Sequence, residues 1–155
     1  MKKKIVFWAS LATIIDQLTK FLIKKNFRLY EKKVIIKNFF NLTYVENRGA
    51  AWGIFNGNYW FLIITTVVAL AFILWFIFRM KEYKKIDIIS YSMLIAGIMG
   101  NFIDRLVRGY VIDFFDFKIF NYYFPVFNIA DILIVVSVII MVICCFRGDE
   151  SENKK

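Results

Sequence analysis

The chain has 155 residues, 60% of them hydrophobic and 19% aromatic, and a net charge of +9. Mean hydropathy is +0.59. An ordinary soluble domain is about 45–50% apolar, so this composition excludes a water-soluble globule and indicates one multi-pass membrane domain over residues 1–155. The basic excess suits anionic lipid headgroups. It does not suit nucleic acid, because Lys and Arg flank apolar runs and form no polar basic face.

The chain opens with Lys2-Lys3-Lys4 and an apolar run that imitates a secretory leader. Asp16 interrupts the run, and Lys20, Lys24 and Lys25 follow without a small-residue cleavage site, so residues 5–23 read as a retained first span. Asp16 and Lys20 are one helical turn apart and share a face. Pairing inside the helix bundle is the structural reading; contact with a substrate headgroup is the alternative.

Residues 24–58 contain Val34-Ile35-Ile36 and Leu42-Thr43-Tyr44-Val45, β-branched and aromatic runs that predict strands. Next comes Asn47-Arg48-Gly49-Ala50-Ala51-Trp52-Gly53. Small residues around a Trp suit close backbone approach and an interfacial anchor, followed by a short surface helix. Residues 59–78 form a second span with no charge.

The third span, residues 86–103, follows the basic connection Arg79–Lys85. Its Gly97 and Gly100 permit close helix packing. Asn101 falls on one face with Asp104 and Arg105. Asp104 fits a buried ion pair at a helix end, whereas Asn101 and the fork-shaped Arg105 guanidinium fit a site. In residues 104–127, Asp113 sits within Val111-Ile112-Asp113-Phe114-Phe115, and Asp116-Phe117-Lys118-Ile119-Phe120 alternates like a strand.

Pro125 and the potential cap Asn128 mark the start of the fourth span, residues 128–146, with Asp131 in its first turn. Each span meets or approaches the roughly 20 residues a bilayer crossing needs. Cys144 and Cys145 are adjacent in the last span, with no disulfide or metal spacing. Four spans put residues 24–58 and 104–127 on one side, where a small extracytoplasmic β cradle is expected. Lys and Arg are shared evenly between the two sides. The short, dense Arg79–Lys85 connection places both termini in the cytoplasm.

Asp113 and Asp131 carry the chemistry. The chain has no histidine, so the usual imidazole base is absent. Two carboxylates held together among Phe, Ile and Val can share a proton, as an aspartyl protease requires. No cofactor or metal is called for, since no ligand cluster is present in the sequence. A proton-coupled transporter would instead place acids at mid-span, and a membrane adaptor needs no paired carboxylates. A serine–lysine peptidase is disfavoured because Ser10 and Lys20 point to different helix faces.

Asp16-Gln17-Leu18-Thr19-Lys20, the Asn47–Gly53 run, Gly100-Asn101-Phe102-Ile103-Asp104-Arg105, Val111-Ile112-Asp113-Phe114 and Phe127-Asn128-Ile129-Ala130-Asp131 occur in this order. With four spans, the chain resembles bacterial lipoprotein signal peptidase, signal peptidase II. The resemblance covers nearly everything from Asp16 to Asp131. It implies an aspartyl endopeptidase of the bacterial cell membrane that cuts prolipoproteins just before a diacylglyceryl-modified cysteine. Asp113 and Asp131 then match the catalytic pair. Asn47, Asn101, Arg105 and Asn128 match positions around the substrate, and Asp16, Lys20 and Asp104 match mainly structural ones. Membrane lipids and globomycin-type inhibitors are the further partners implied.

Overall fold

The computed structural model describes residues 2–49, 55 and 57–152, with side chains described to Phe146. Four helices are long and apolar enough to cross a membrane: α1 (Lys2–Asn26), α2 (Tyr59–Arg79), α3 (Lys85–Arg108) and α4 (Ile129–Glu152). Large apolar side chains on all four remain exposed, among them Phe7, Phe72, Val107 and Val135. In water such faces would aggregate; in lipid they are solvated. The short surface helix expected after Gly49 would begin at residues 50–54, which lie outside the described residues.

α3 is the central helix, packed against α1, α2 and α4. Its buried positions are mostly small or polar: Ser90, Ser92, Ala96, Gly97, Gly100, Asn101 and Asp104. Small residues let backbones approach, which is how helices associate when lipid removes the hydrophobic driving force. A Cβ at Gly97 would collide with the Ala130 carbonyl and Ile134 of α4. One at Gly100 would collide with Asp16 of α1 and crowd Ala130. α1 answers with a single buried stripe of Ile5, Ala9, Asp16, Lys20 and Ile23.

At one end, Lys2 donates to the Phe78 carbonyl, bringing the start of α1 beside the end of α2. A four-stranded antiparallel sheet lies at the other end, with strand order β1 (Lys32–Ile36), β2 (Phe40–Asn47), β3 (Val111–Ile119) and β4 (Tyr122–Tyr123). Ile23 of α1 packs with Tyr44, Ile112 and Phe114, which joins the sheet to the helices. Two features depart from the sequence expectation. α3 continues through Asp104 and Arg105 to Arg108. The strand anticipated at residues 116–120 begins at Val111, so Asp113 is itself a strand residue, with Asp113 opposite Val45. Gly109, at φ 77, makes the left-handed turn that allows the chain to pass from α3 into β3 almost at once.

The close α3–α4 approach generates a stability test. Gly97→Val forces a side chain into the Ala130 backbone, and overpacking of this kind costs about 1–3 kcal/mol. Thermal unfolding in mild detergent is expected to shift down accordingly.

Candidate active site

Asp113 is carried by β3 and Asp131 by the first turn of α4. Both line one cavity of about 760 Å³, together with Asn47, Asn101 and Arg105. The cavity wall continues along Ile132, Val135 and Val136 of α4 and along Phe124–Phe127, so polar chemistry opens onto an apolar surface.

Three asparagines wire the two carboxylates. Asn128 Nδ2 donates to Asp113 Oδ1 at 2.6 Å and to Asn101 Oδ1 at 3.1 Å. Asn47 Nδ2 donates to Asp113 Oδ2 at 2.9 Å, while its Oδ1 accepts from the Gly49 N–H. Asn101 Nδ2 donates to Asp131 Oδ1 at 2.7 Å. Asn128 also caps α4 reciprocally: its Oδ1 accepts the Asp131 N–H at 3.0 Å, and its own N–H donates to Asp131 Oδ2 at 3.2 Å. This is a capping box with Asp at its third position.

Asn101 is oriented from behind. Its Oδ1 accepts from Lys20 Nζ at 3.0 Å as well as from Asn128, so its amide hydrogens face Asp131. Lys20 is wholly buried and forms ion pairs with Asp16 at 2.9 Å and Asp104 at 3.0 Å. All three ammonium donors are therefore used. Asp16 accepts the Ala130 N–H at 3.0 Å, and Asp104 accepts the Ile112 N–H at 3.2 Å. Arg108 pairs with Asp104 and donates to Gln17, which in turn donates to the Gly100 carbonyl at 2.9 Å and to Asp104. Two cations thus balance two anions.

The remaining candidate, Arg105, donates to the Gly49 carbonyl at 3.3 Å. Its Nε is buried with no hydrogen-bond partner among the described residues. Gln17 and Arg108 belong to the support of the site and were not singled out from the sequence. Gln17 shares the first motif with Asp16 and Lys20, and Arg108 is one turn beyond Asp104, which were the available signals. Glu46, another cavity residue, accepts from Tyr44 at 3.0 Å and from Arg48 at 3.3 Å.

Burial raises the Asp113 carboxyl to about 7, and the nearby Asp131 charge pushes in the same direction. Bonds from Asn47 and Asn128 oppose the shift without cancelling it. At neutral pH the pair can hold one proton between two carboxyls. Neither carboxyl donates to a protein group in the described network, so the proton can face the cavity. Such a pair can activate water with one member and hydrogen-bond a carbonyl with the other.

The signal peptidase (SPase) II family matches residues 8–147. A lipoprotein signal peptidase from Staphylococcus aureus (strain JH9) is 38% identical over 147 residues, covering 95% of this chain and 90% of that protein. Two solved structures, each described as a bacterial membrane enzyme determined by the in meso method, share the fold. One, at 2.3 Å resolution, gives a TM-score of 0.88 at 37% identity, with 97% and 91% of the two chains covered. The other, at 1.9 Å, gives 0.82 at 38% identity, with 91% of each covered.

Two outcomes follow from the site. Lys20→Met leaves Asp16 and Asp104 buried without their central cation, and breaking such a network costs about 3–5 kcal/mol; unfolding in detergent is expected at correspondingly lower temperature. The second concerns pH. The folded Asp113 carboxyl lies above its unfolded value, so the native state binds more protons between about pH 4 and pH 7. Stability from this group is full below that window and is lost as pH rises through about 7. Asp113→Asn removes this titration, although its amide NH2 then faces a donor from Asn47 or Asn128, so the fall in unfolding temperature between pH 4 and pH 8 should be smaller in the variant than in wild type.

Proposed function

This chain belongs to the signal peptidase II family, and we propose that Asp113 and Asp131 are its catalytic pair. The observation that supports the assignment is the double wiring through Asn128, whose amide bonds Asp113 while its side-chain oxygen and backbone N–H hold Asp131. In this reading the substrate is a prolipoprotein, and the scissile bond precedes a cysteine that bears a diacylglyceryl group. Asp113 starts protonated, because burial and the neighbouring charge favour its neutral form. Asp131, in the first turn of α4, is then the member of the pair that receives the proton of the attacking water.

Asp131 takes a proton from water as the water oxygen bonds the carbonyl carbon. Asp113 passes its proton to the carbonyl oxygen, which gives a diol. Asp131 then hands its proton to the leaving amine while the C–N bond breaks, and Asp113 recovers a proton from a diol hydroxyl. Each carboxyl finishes as it began. Asn47, Asn101 and Asn128 hold the carboxyls beside the peptide, and Arg105 aligns the peptide. Arg105 suits this role because its buried Nε is a donor without a partner among the described residues. Asp16, Lys20 and Asp104 act as the rigid support.

The acyl chains lie along the apolar wall formed by Ile132, Val135 and Val136, continuous with membrane lipid. Globomycin-type inhibitors would occupy the same cavity. We place both termini in the cytoplasm of the bacterial cell and the sheet outside the cytoplasmic membrane, on the strength of the basic Arg79–Lys85 connection beside Lys2.

Purified Asp113→Asn and Asp131→Asn variants should remain folded and lose turnover of a lipidated precursor by at least about 10²–10⁴-fold, since an Asn at 113 cannot give up the proton the carbonyl oxygen needs and an Asn at 131 cannot take one from water. Near-normal turnover by either would remove the dyad. A precursor without the diacylglyceryl group should show kcat/KM lower by about 100-fold, because each buried methylene supplies about 0.8 kcal/mol of binding. Equal values for the two precursors in the same micelles would exclude lipid recognition.

A further inference from the structure

The end of the sheet far from Asp113 carries exposed aromatic residues, the wrong place for them in a domain projecting into water. Two hairpin tips meet there. Phe40 pairs with Phe117, and the Lys118 N–H donates to the Phe39 carbonyl at 2.8 Å, which sets the β1–β2 tip beside the β3–β4 tip. Asn38 (φ 61) and Phe120 (φ 53) make the two turns in the left-handed region. For a bulky residue such as Phe that conformation is unfavourable. Phe120 is 94% exposed, and Ile36, Phe39, Tyr122 and Tyr123 are exposed around it. Lys118 lies over the Tyr123 ring at 5.0 Å, and Lys37 occupies the neighbouring tip.

Asp113 lies towards the opposite end of β3. A strand rises about 3.3 Å per residue, so Phe120 is roughly 23 Å along the sheet from the acid. Were the sheet upright on the helices, these rings would stand in water at the point farthest from the bilayer. Aromatic rings flanked by lysines are instead the composition of a membrane–water boundary.

We propose that the sheet lies along the membrane and that its paired tips, with Phe120 as the deepest residue, insert into the headgroup–acyl boundary of the same bilayer. The occupant of this surface is lipid. Beyond the tip, the chain returns through Phe124–Phe127, which lines the cavity beside Asp113, and Phe127 is fastened to Phe114 and Phe115 by backbone hydrogen bonds of 2.8–3.2 Å. Anchoring the tip fixes this wall at a set depth. It therefore aligns the dyad with a cysteine whose own depth is fixed by its acyl chains, a consequence that rests on the proposed reaction.

The test uses the full chain in lipid nanodiscs, with Cys144→Ser, Cys145→Ser and Phe120→Cys carrying a nitroxide. Power-saturation measurements should show collisions with oxygen outweighing those with a water-soluble nickel chelate, at a depth of about 5–10 Å. Collisions chiefly with nickel would overturn the insertion while leaving the dyad untouched. A second variant, Phe120→Asp with Tyr123→Asp, alters exposed residues only. In nanodiscs it should raise KM for the lipidated precursor about 10-fold with kcat within about twofold. An unchanged KM would overturn the depth-setting role, whereas failure of the proposed reaction would appear separately as turnover by Asp113→Asn.

Discussion

Lys20 is bonded to three acceptors, each of which fastens another part of the molecule. Asp16 reaches the backbone of α4 at Ala130, Asp104 reaches the backbone of β3 at Ile112, and Asn101 reaches Asp131 and Asn128. An ammonium group without water is costly to bury, and its geometry is tolerable only when every donor is met. That requirement is strict, so it fixes α1, α3, α4 and the sheet relative to one another. Of the two proposed catalytic carboxylates, one lies a single hydrogen bond beyond this hub and the other two. Asp131 is reached through Asn101, and Asp113 through Asn128. A site built this way is rigid because its support cannot be partly satisfied.

Packing and chemistry depend on the same few positions. Gly97 and Gly100 let α3 lie against α4 and Asp16 at a distance no side chain permits. This closeness brings Asn101 within reach of Asp131. Polar groups on β3 and α4 then meet in a cavity whose other wall faces lipid. The raised Asp113 carboxyl is the electrostatic consequence: a group excluded from water beside a second acid holds its proton into the neutral range. The arrangement sacrifices stability at neutral pH and gains a proton positioned for transfer.

Much of this was legible in the sequence because membranes simplify it. Long apolar runs predict the four helices, and Val34–Ile36 and Leu42–Val45 predict β1 and β2, since β-branched residues dominate both. Residues 111–115 were harder. Apolar on either side of Asp113, they lack the alternation of a half-exposed strand, because β3 is buried on both faces from Val111 to Phe114. The extension of α3 past Ile103 was hidden by Asp104, Arg105 and Arg108, which look like a loop until their partners Lys20 and Gln17 are seen on α1. The partnerships among Asn47, Asn101 and Asn128 could not be read from spacing, since each lies on a different element.

The central claim is that two coupled carboxyls share one working proton. It is tested most directly by the pH dependence of kcat/KM on a lipidated precursor, measured with wild-type protein in one lipid system from pH 4 to pH 10. A bell-shaped profile is expected, falling at low pH when both acids are protonated and at high pH when both are ionised, with the alkaline fall beginning near the Asp113 value of about 7. A profile that stays flat across the whole range would contradict the account.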